Sequence, residues 1–327
     1  MNSRIKLHDL RPAALKRGEI GSPENCVLIT VSGFEERARF FSERWLRELF
    51  PSPVKWMVIG FKEHPSELSR IANDAFYRGR GIEPYLLSSA NYAGLKAYIT
   101  SFLPNRGGKT RPPLSIHIDY SCMPRSWYCR LVAFLEYVLC DGDKVFFWYS
   151  TGEYPKSEYP TAGVSDFSVY SGSPRLNSRF RAHLFGLGFD RVRASAIYSV
   201  IDPQYLVCYY ADPSAKPEYV ERVEQDNEQI LKDAQLIANV PLGDFCATFS
   251  RLCALSNEFL ERGDVIFVPD GPKPLVLASS LVPEYLGKLG VVCFHVARRK
   301  SAWQPVEVTP TGDIVGFSFS IAKCDEE

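Results

Sequence analysis

An α/β protein with mostly parallel sheets, arranged as two similar domains in tandem, is predicted by three features of this sequence. Its 327 residues suit about two domains at roughly 150 residues each. Short apolar runs alternate with longer amphipathic stretches, which is the pattern of strands joined by crossover helices. Finally, three strand–turn segments of the first half recur in the same order in the second, as an internal repeat would.

The elements follow in order. Residues 26–31 form an apolar run of strand type. Over 34–50 the period changes. Phe34, Ala38, Phe41, Trp45 and Leu49 recur at three- and four-residue steps, with Glu35, Glu36, Arg39, Glu43 and Arg47 between them. That spacing predicts an amphipathic helix, stopped by Pro51-Ser52-Pro53. Strands are expected at 56–61, 84–87, 114–118 and 145–149, and helices at 66–78, 92–102 and 127–140. From 152 to 178 Pro, Gly, Ser and Tyr dominate, which reads as a connection between domains. The α/β pattern then restarts. Strands are expected at 183–187, 205–210, 265–268 and 291–296. Helices are expected up to 200 and at 217–239, 242–260 and 275–286. Segments 306–308 and 314–319, with a turn at Pro310-Thr311-Gly312-Asp313, read as a hairpin on the edge of the second sheet. The expected boundaries are therefore a first domain over 1–150, a connecting segment over 151–180 and a second domain with the hairpin over 181–327.

Composition narrows the function classes. The chain is 46% hydrophobic and 23% charged, as expected for a globular protein. Its 38 basic and 38 acidic residues cancel. That balance argues against extended nucleic-acid binding, which needs many uncompensated Lys and Arg, but it suits a small anionic ligand at a local basic site. Nine cysteines with no C-x-x-C, mostly within apolar runs, read as buried thiols of a cytoplasmic protein. The paired spacing of a zinc site is missing, and so no metal is expected. No cofactor is expected beyond a nucleotide ligand. No stretch reaches the ~18 apolar residues of a membrane span.

The repeat places the chemistry. Gly33-Phe34-Glu35-Glu36-Arg37-Ala38 pairs with Gly188-Phe189-Asp190-Arg191-Val192-Arg193-Ala194. The strand before His64-Pro65 pairs with the strand before Asp212-Pro213. Asp119-Tyr120-Ser121-Cys122-Met123-Pro124-Arg125 pairs with Val268-Pro269-Asp270-Gly271-Pro272-Lys273. One Rossmann-like domain used twice accounts for all three. In such sheets ligands bind at the carboxyl ends of strands, where these turns fall. Gly33, Gly188 and Gly271 would admit close backbone approach. Arg37, Arg125, Arg193 and Lys273 would meet a phosphate. Glu35, Asp119, Ser121, Asp190 and Asp270 are the remaining candidate contacts. Cys122 is a weaker candidate as a nucleophile, because no histidine neighbours it in sequence. The Arg298-Arg299-Lys300 cluster follows the last strand of the second half.

Val265 to Ala278, with Asp270-Gly271-Pro272-Lys273-Pro274-Leu275 at its centre and Ser279-Ser280 behind, resembles the CRISPR-associated Rossmann-fold (CARF) sensor domains. Those domains carry a strand, a Gly-rich turn with Lys and a small-residue helix. The common family turn is Gly-Gly-Thr-Lys, which neither half here reproduces. The resemblance covers this motif and the general strand–helix order. It implies Gly271 and Lys273 as ligand contacts, a cyclic oligonucleotide as ligand in a groove between two such domains, and an effector. No attached effector motif is evident, so a protein partner would carry that role, in a prokaryotic defence or stress system. The first expectation is therefore nucleotide-signal sensing through a partner. A second is a nucleotide-processing enzyme, a glycosidase or phosphoribosyl-type transferase with Glu35 and Asp119 as its carboxylates. A third is a non-catalytic interaction subunit docking through Tyr154, Tyr159, Phe167 and Tyr170.

Overall fold

The computed structural model describes residues 9–16, 18–49, 55–103, 112–155, 163–298 and 304–321. The chain forms two compact units. One comprises Met1–Lys156 with Pro305–Glu327, and the other Ser157–Gln304.

The first unit holds a seven-stranded sheet in the order β1-β13-β6-β5-β2-β3-β4. Its parallel centre consists of β2 (Cys26–Ser32), β3 (Lys55–Phe61), β4 (Tyr85–Leu87), β5 (Ser115–Asp119) and β6 (Lys144–Glu153). Every residue of β2 and β5 is buried, as expected for strands covered on both faces. The crossovers carry α1 (Phe40–Glu48), α2 (Arg70–Arg78), α3 (Tyr92–Phe102) and α4 (Arg125–Val138). Two antiparallel strands complete the sheet: β13 (Thr309–Ser320) on β6, and β1 (Arg11–Ala13) on β13. Phe41, Trp45, Leu49, Phe146 and Trp148 belong to one core cluster. Against it, His117 is fully buried between Trp45 and Phe146. Its Nδ1 accepts from Trp148 Nε1 at 3.2 Å, and its Nε2 lies 3.1 Å from Ile20 O. That is a satisfied core histidine, held neutral by burial that lowers its pKa to about 3.

The second unit holds a six-stranded sheet in the order β10-β9-β8-β11-β12-β7. Its strands are β7 (Val164–Ser173), β8 (Arg181–Gly186), β9 (Tyr205–Ala211), β10 (Leu236–Val240), β11 (Asp264–Pro269) and β12 (Val291–Arg298). β8 to β12 run parallel, and β7 lies antiparallel on β12. The helices are α5 (Arg191–Ile201), α6 (Pro217–Asp226), α7 (Glu228–Asp233), α8 (Phe245–Leu260) and α9 (Lys273–Leu286). α9 is buried from Pro274 to Pro283, which explains its nearly unbroken apolar sequence.

Numbered within each half, the five parallel strands run third-second-first-fourth-fifth in both sheets. This is the Rossmann order, with its topological switch between the first and fourth strands. The switch lies between β2 and β5 in one unit and between β8 and β11 in the other.

Three expectations are corrected. The C-terminal hairpin on the second sheet is instead one strand, β13, paired with β6 of the first sheet across an irregularity between Pro310 and Ile314. Alternation identified a half-buried strand, but it does not name the sheet. The aromatic edge of β6 decides it, with Phe147 stacked on Phe317 and Phe319 at 5.2 and 6.2 Å. The 151–180 connecting segment contains β7, whose polar composition reflects an exposed edge strand rather than a linker. The helix expected over 217–239 is two, α6 and α7, which end at Asp233 and give way to β10, because the short, mostly apolar Leu236–Val240 is ambiguous between helix and strand by periodicity. The path of the chain is therefore reciprocal. The strand after β6 joins the second sheet, and the strand after β12 joins the first.

Candidate functional site

In each unit the two turns singled out in the sequence flank the switch point. In the first unit, the turn after β2 carries Gly33, Glu35 and Arg37, and the turn after β5 leads to Arg125. A Cβ on Gly33 would stand 3.2 Å from Cys122 Cβ, so this glycine lets the two turns pack together. Arg37 is 1% exposed. It pairs with Glu35 and donates through Nη1 to Tyr149 OH at 3.1 Å and Ser150 O at 3.2 Å. Its guanidinium also lies 5.6 Å from the Tyr154 ring centre. Burial is the largest influence and works against its charge, but Glu35, with Tyr154, Tyr149 and Cys122, together outweighs it and holds the guanidinium charged. Asp119 and Ser121 are buried as well. Asp119 Oδ1 accepts from the backbone N–H and hydroxyl of Ser121, while Ser121 Oγ accepts from Ser150 N at 2.7 Å. These groups tie β5 to β6.

The second unit repeats the plan with other partners. A Cβ on Gly188 would meet Asp270 O at 2.9 Å, and one on Gly271 would meet Leu187 O at 2.7 Å. Both glycines serve turn-to-turn packing. Arg193 and Asp270 form an ion pair at 2.8 Å with side chains 1% and 3% exposed. Arg193 also donates to Val296 O at 2.6 Å and Gly163 O at 3.0 Å. Asp190 caps α5 by accepting from Arg193 N at 3.1 Å. Burial raises its pKa, opposed by that N–H and by Arg298.

The structure therefore places Arg37, Arg193, Asp119, Ser121 and Asp270 inside the turns as braces, with Glu35 paired to one brace and Asp190 capping a helix. Arg125 and Lys273 differ from these. Each is partly exposed and is the first residue of a 14-residue helix, α4 or α9. The two N-caps are Pro124 (φ −60°, ψ 144°) and Pro272 (φ −61°, ψ 153°), and neither makes a side-chain cap hydrogen bond. A helix N-terminus carries partial positive charge and outward N–H groups. In both units that end stands at the switch point, led by a cation.

Two buried residues that the sequence reading missed are Asn73 and Asn227. Each donates its amide to the carbonyl of the turn glycine, Gly33 or Gly188. They fall at nearly the same distance after those glycines, and that was the available signal. Of the aromatics expected to dock a partner, Phe167 packs on the second unit's core and Tyr170 OH contacts His295 Nδ1. Tyr159, Arg299 and Lys300 lie outside the described residues. Among the described residues, no helix is long and apolar enough to cross a membrane, and no group of three or more His, Cys, Asp or Glu is placed to hold a metal ion.

No family model and no curated protein matches the chain. One solved structure with a similar fold is a Type III CRISPR defence DNA nuclease activated by cyclic oligoadenylate. Its TM-score is 0.53 at 9% identity, covering 82% of this chain. The match spans 65% of the nuclease chain, under two thirds of its length. The cytoplasmic domain of a prokaryotic cation chloride cotransporter also aligns, over 84% of this chain and 95% of its own at 11% identity, but with a TM-score of 0.23 that carries no weight. At 9% identity the likeness to the nuclease is one of fold: an α/β chain built of two Rossmann-like units.

Proposed function

We propose that this protein binds a small anionic, nucleotide-derived signal at the switch point of its Rossmann units and passes its occupancy to a partner effector chain in a defence system. The observation that carries this reading is the repeated Pro-basic helix start. Pro124-Arg125 and Pro272-Lys273 each set a cation at the N-terminal turn of a long helix, beside the first strand's glycine turn. An anion there meets the helix dipole and a charged side chain together. Zero net charge concentrates the attraction locally, as suits a small ligand better than a long nucleic acid. The fold shared with a nuclease activated by cyclic oligoadenylate makes a cyclic oligonucleotide the first ligand to try. Glu35 and Asp119, the carboxylates an enzyme on this scaffold would use, are each engaged internally, and this favours binding over catalysis.

The test is thermal unfolding against mononucleotides, dinucleotides and cyclic oligoadenylates. A ligand at 100 times its Kd stabilises the native state by about 2.7 kcal/mol, so the melting temperature should climb with concentration for at least one anion. A flat response across the panel at millimolar concentration rejects the reading.

A further inference from the structure

We infer that Asn73 and Asn227 are positioning residues that fix the direction of the backbone N–H groups in the turn after the first strand of each Rossmann unit. Asn73 is fully buried and Asn227 is 2% exposed. Asn73 Nδ2 donates to Gly33 O and to Glu35 O, both at 2.8 Å. Asn227 Nδ2 donates to Gly188 O at 2.9 Å and to Val223 O at 2.8 Å. In both residues Oδ1 is buried without a hydrogen-bond partner. The reverse orientation of either amide would set its oxygen against carbonyl oxygens, so the hydrogen bonds dictate the assignment.

An unpartnered buried acceptor is costly. A small or apolar side chain would fill the same space without that cost if packing were all that the position required. The same cost stands beneath the same turn in both units, and what the two sites share is the hold on the glycine carbonyl.

The consequence follows from peptide geometry. In a planar trans peptide the C=O and N–H point to opposite sides. Holding Gly33 O and Glu35 O toward α2 turns the N–H groups of Phe34 and Glu36 away from it. Holding Gly188 O does the same for Phe189. In the first unit one of these N–H groups meets an anionic group of the chain itself: Glu36 N donates to Glu307 Oε1 at 2.6 Å, while Glu307 Oε2 accepts from Ser69 Oγ at 3.0 Å. The peptide between Glu35 and Glu36 is thus pinned at both ends, by an amide on its carbonyl and a carboxylate on its N–H. The Glu307 carboxylate shows the kind of group such a turn receives, and a turn fixed in advance needs no reorganisation when it meets an anion. This inference deepens the proposed function and rests on that reading only for its ligand arm.

The experiment is hydrogen–deuterium exchange on the full chain, comparing wild type with Asn73→Ala and Asn227→Ala. Asn73→Ala should speed exchange in residues 33–37 at least tenfold, leaving β5 and residues 188–191 unchanged. Asn227→Ala should do the reverse, speeding residues 188–191 and sparing 33–37. Unchanged exchange in the turns overturns the inference. So does acceleration spread evenly through a unit in step with a lower melting temperature, because a purely structural role predicts that. If an alanine variant does not fold, Asn73→Ser and Asn227→Ser are read in the same way. In the ligand arm, the cyclic oligoadenylate with the largest melting shift on wild type should bind at least tenfold more weakly at one of the two sites in each variant, with the other site unchanged. If no such probe shifts wild type, the sensing reading falls while the exchange result still decides the role of the asparagines.

Discussion

The first-strand turns of the two units do the same work with different acids. In the first unit, Arg37 pairs with Glu35, two residues before it on the same turn. In the second, Arg193 pairs with Asp270 on the neighbouring turn. The targets of both arginines on the backbone correspond: Ser150 O on β6 and Val296 O on β12, each the fifth parallel strand of its sheet. The asparagine-to-glycine hydrogen bond and the proline N-cap before a basic residue correspond as well. What recurs is therefore the bracing of backbone, while the acidic partner has moved. The Gly-Phe-acid-Arg-Ala pattern, which suggests ligand contacts in the sequence, is mostly this brace.

That comparison can be broken by experiment, beginning with the largest effect. Asp270→Ala leaves Arg193 buried without its counter-charge, and breaking such a pair costs about 3–5 kcal/mol. Glu35→Ala should cost about 1.5–3 kcal/mol, because Glu35 is 13% exposed and Arg37 keeps Tyr149 and Ser150. Urea denaturation measures both, and equal losses would contradict the asymmetry. Gly188→Ala and Gly271→Ala force a methyl against backbone oxygens and should cost about 1–3 kcal/mol. Gly33→Ala meets the Cys122 side chain at 3.2 Å and should cost less than either.

Acid separates the units through their histidines. Burial lowers the pKa of His117 to about 3, partly opposed by its hydrogen bond to Ile20. Burial, helped by Arg181, lowers that of His183 to about 4. The unfolded chain takes up these protons near 6.5, well before the folded chain does. Stability from both groups is full above pH 6.5. It is lost as pH falls from 6.5 to about 4 for His183 and to about 3 for His117. The slope for His117 is at most about 1.4 kcal/mol per pH unit. Urea midpoints between pH 7 and pH 4 should fall in both units, and His117→Gln should flatten the limb by close to one proton. The smallest change in stability belongs to Arg125→Glu and Lys273→Glu, about 1 kcal/mol or less because an acid suits a helix N-terminus, and each should remove the anion site of its own unit. A collapse of stability in either would place that cation among the braces.

Most parallel strands were legible in the sequence because burial on both faces writes a continuous apolar run, as in β2 and β5. β10 was the exception. The switch-point turns were legible because their glycines and prolines follow such runs. The edge strands were not. β7 is polar because one flank and much of both faces are exposed, and the partner of β13 depends on aromatic stacking with residues about 170 positions away. Arg193 was read as a ligand contact because an arginine near a glycine turn looks the same in sequence whether its acid lies in solvent or, like Asp270, inside a neighbouring turn. Asn73 and Asn227 were missed because hydrogen bonds to backbone leave no pattern in side-chain chemistry, only a nearly equal spacing from the turn glycines.

The central claim is that Arg125 and Lys273 lead two equivalent anion sites. Calorimetric titration of wild type, Arg125→Glu and Lys273→Glu with cyclic oligoadenylates, at about 0.05 and 0.2 M salt, tests it most directly. The account predicts wild-type binding at two sites that weakens with salt, and in each variant the loss of one of the two sites, read as about half the wild-type stoichiometry, with the other site retained. Absent wild-type binding, or stoichiometry untouched by both substitutions, would contradict it.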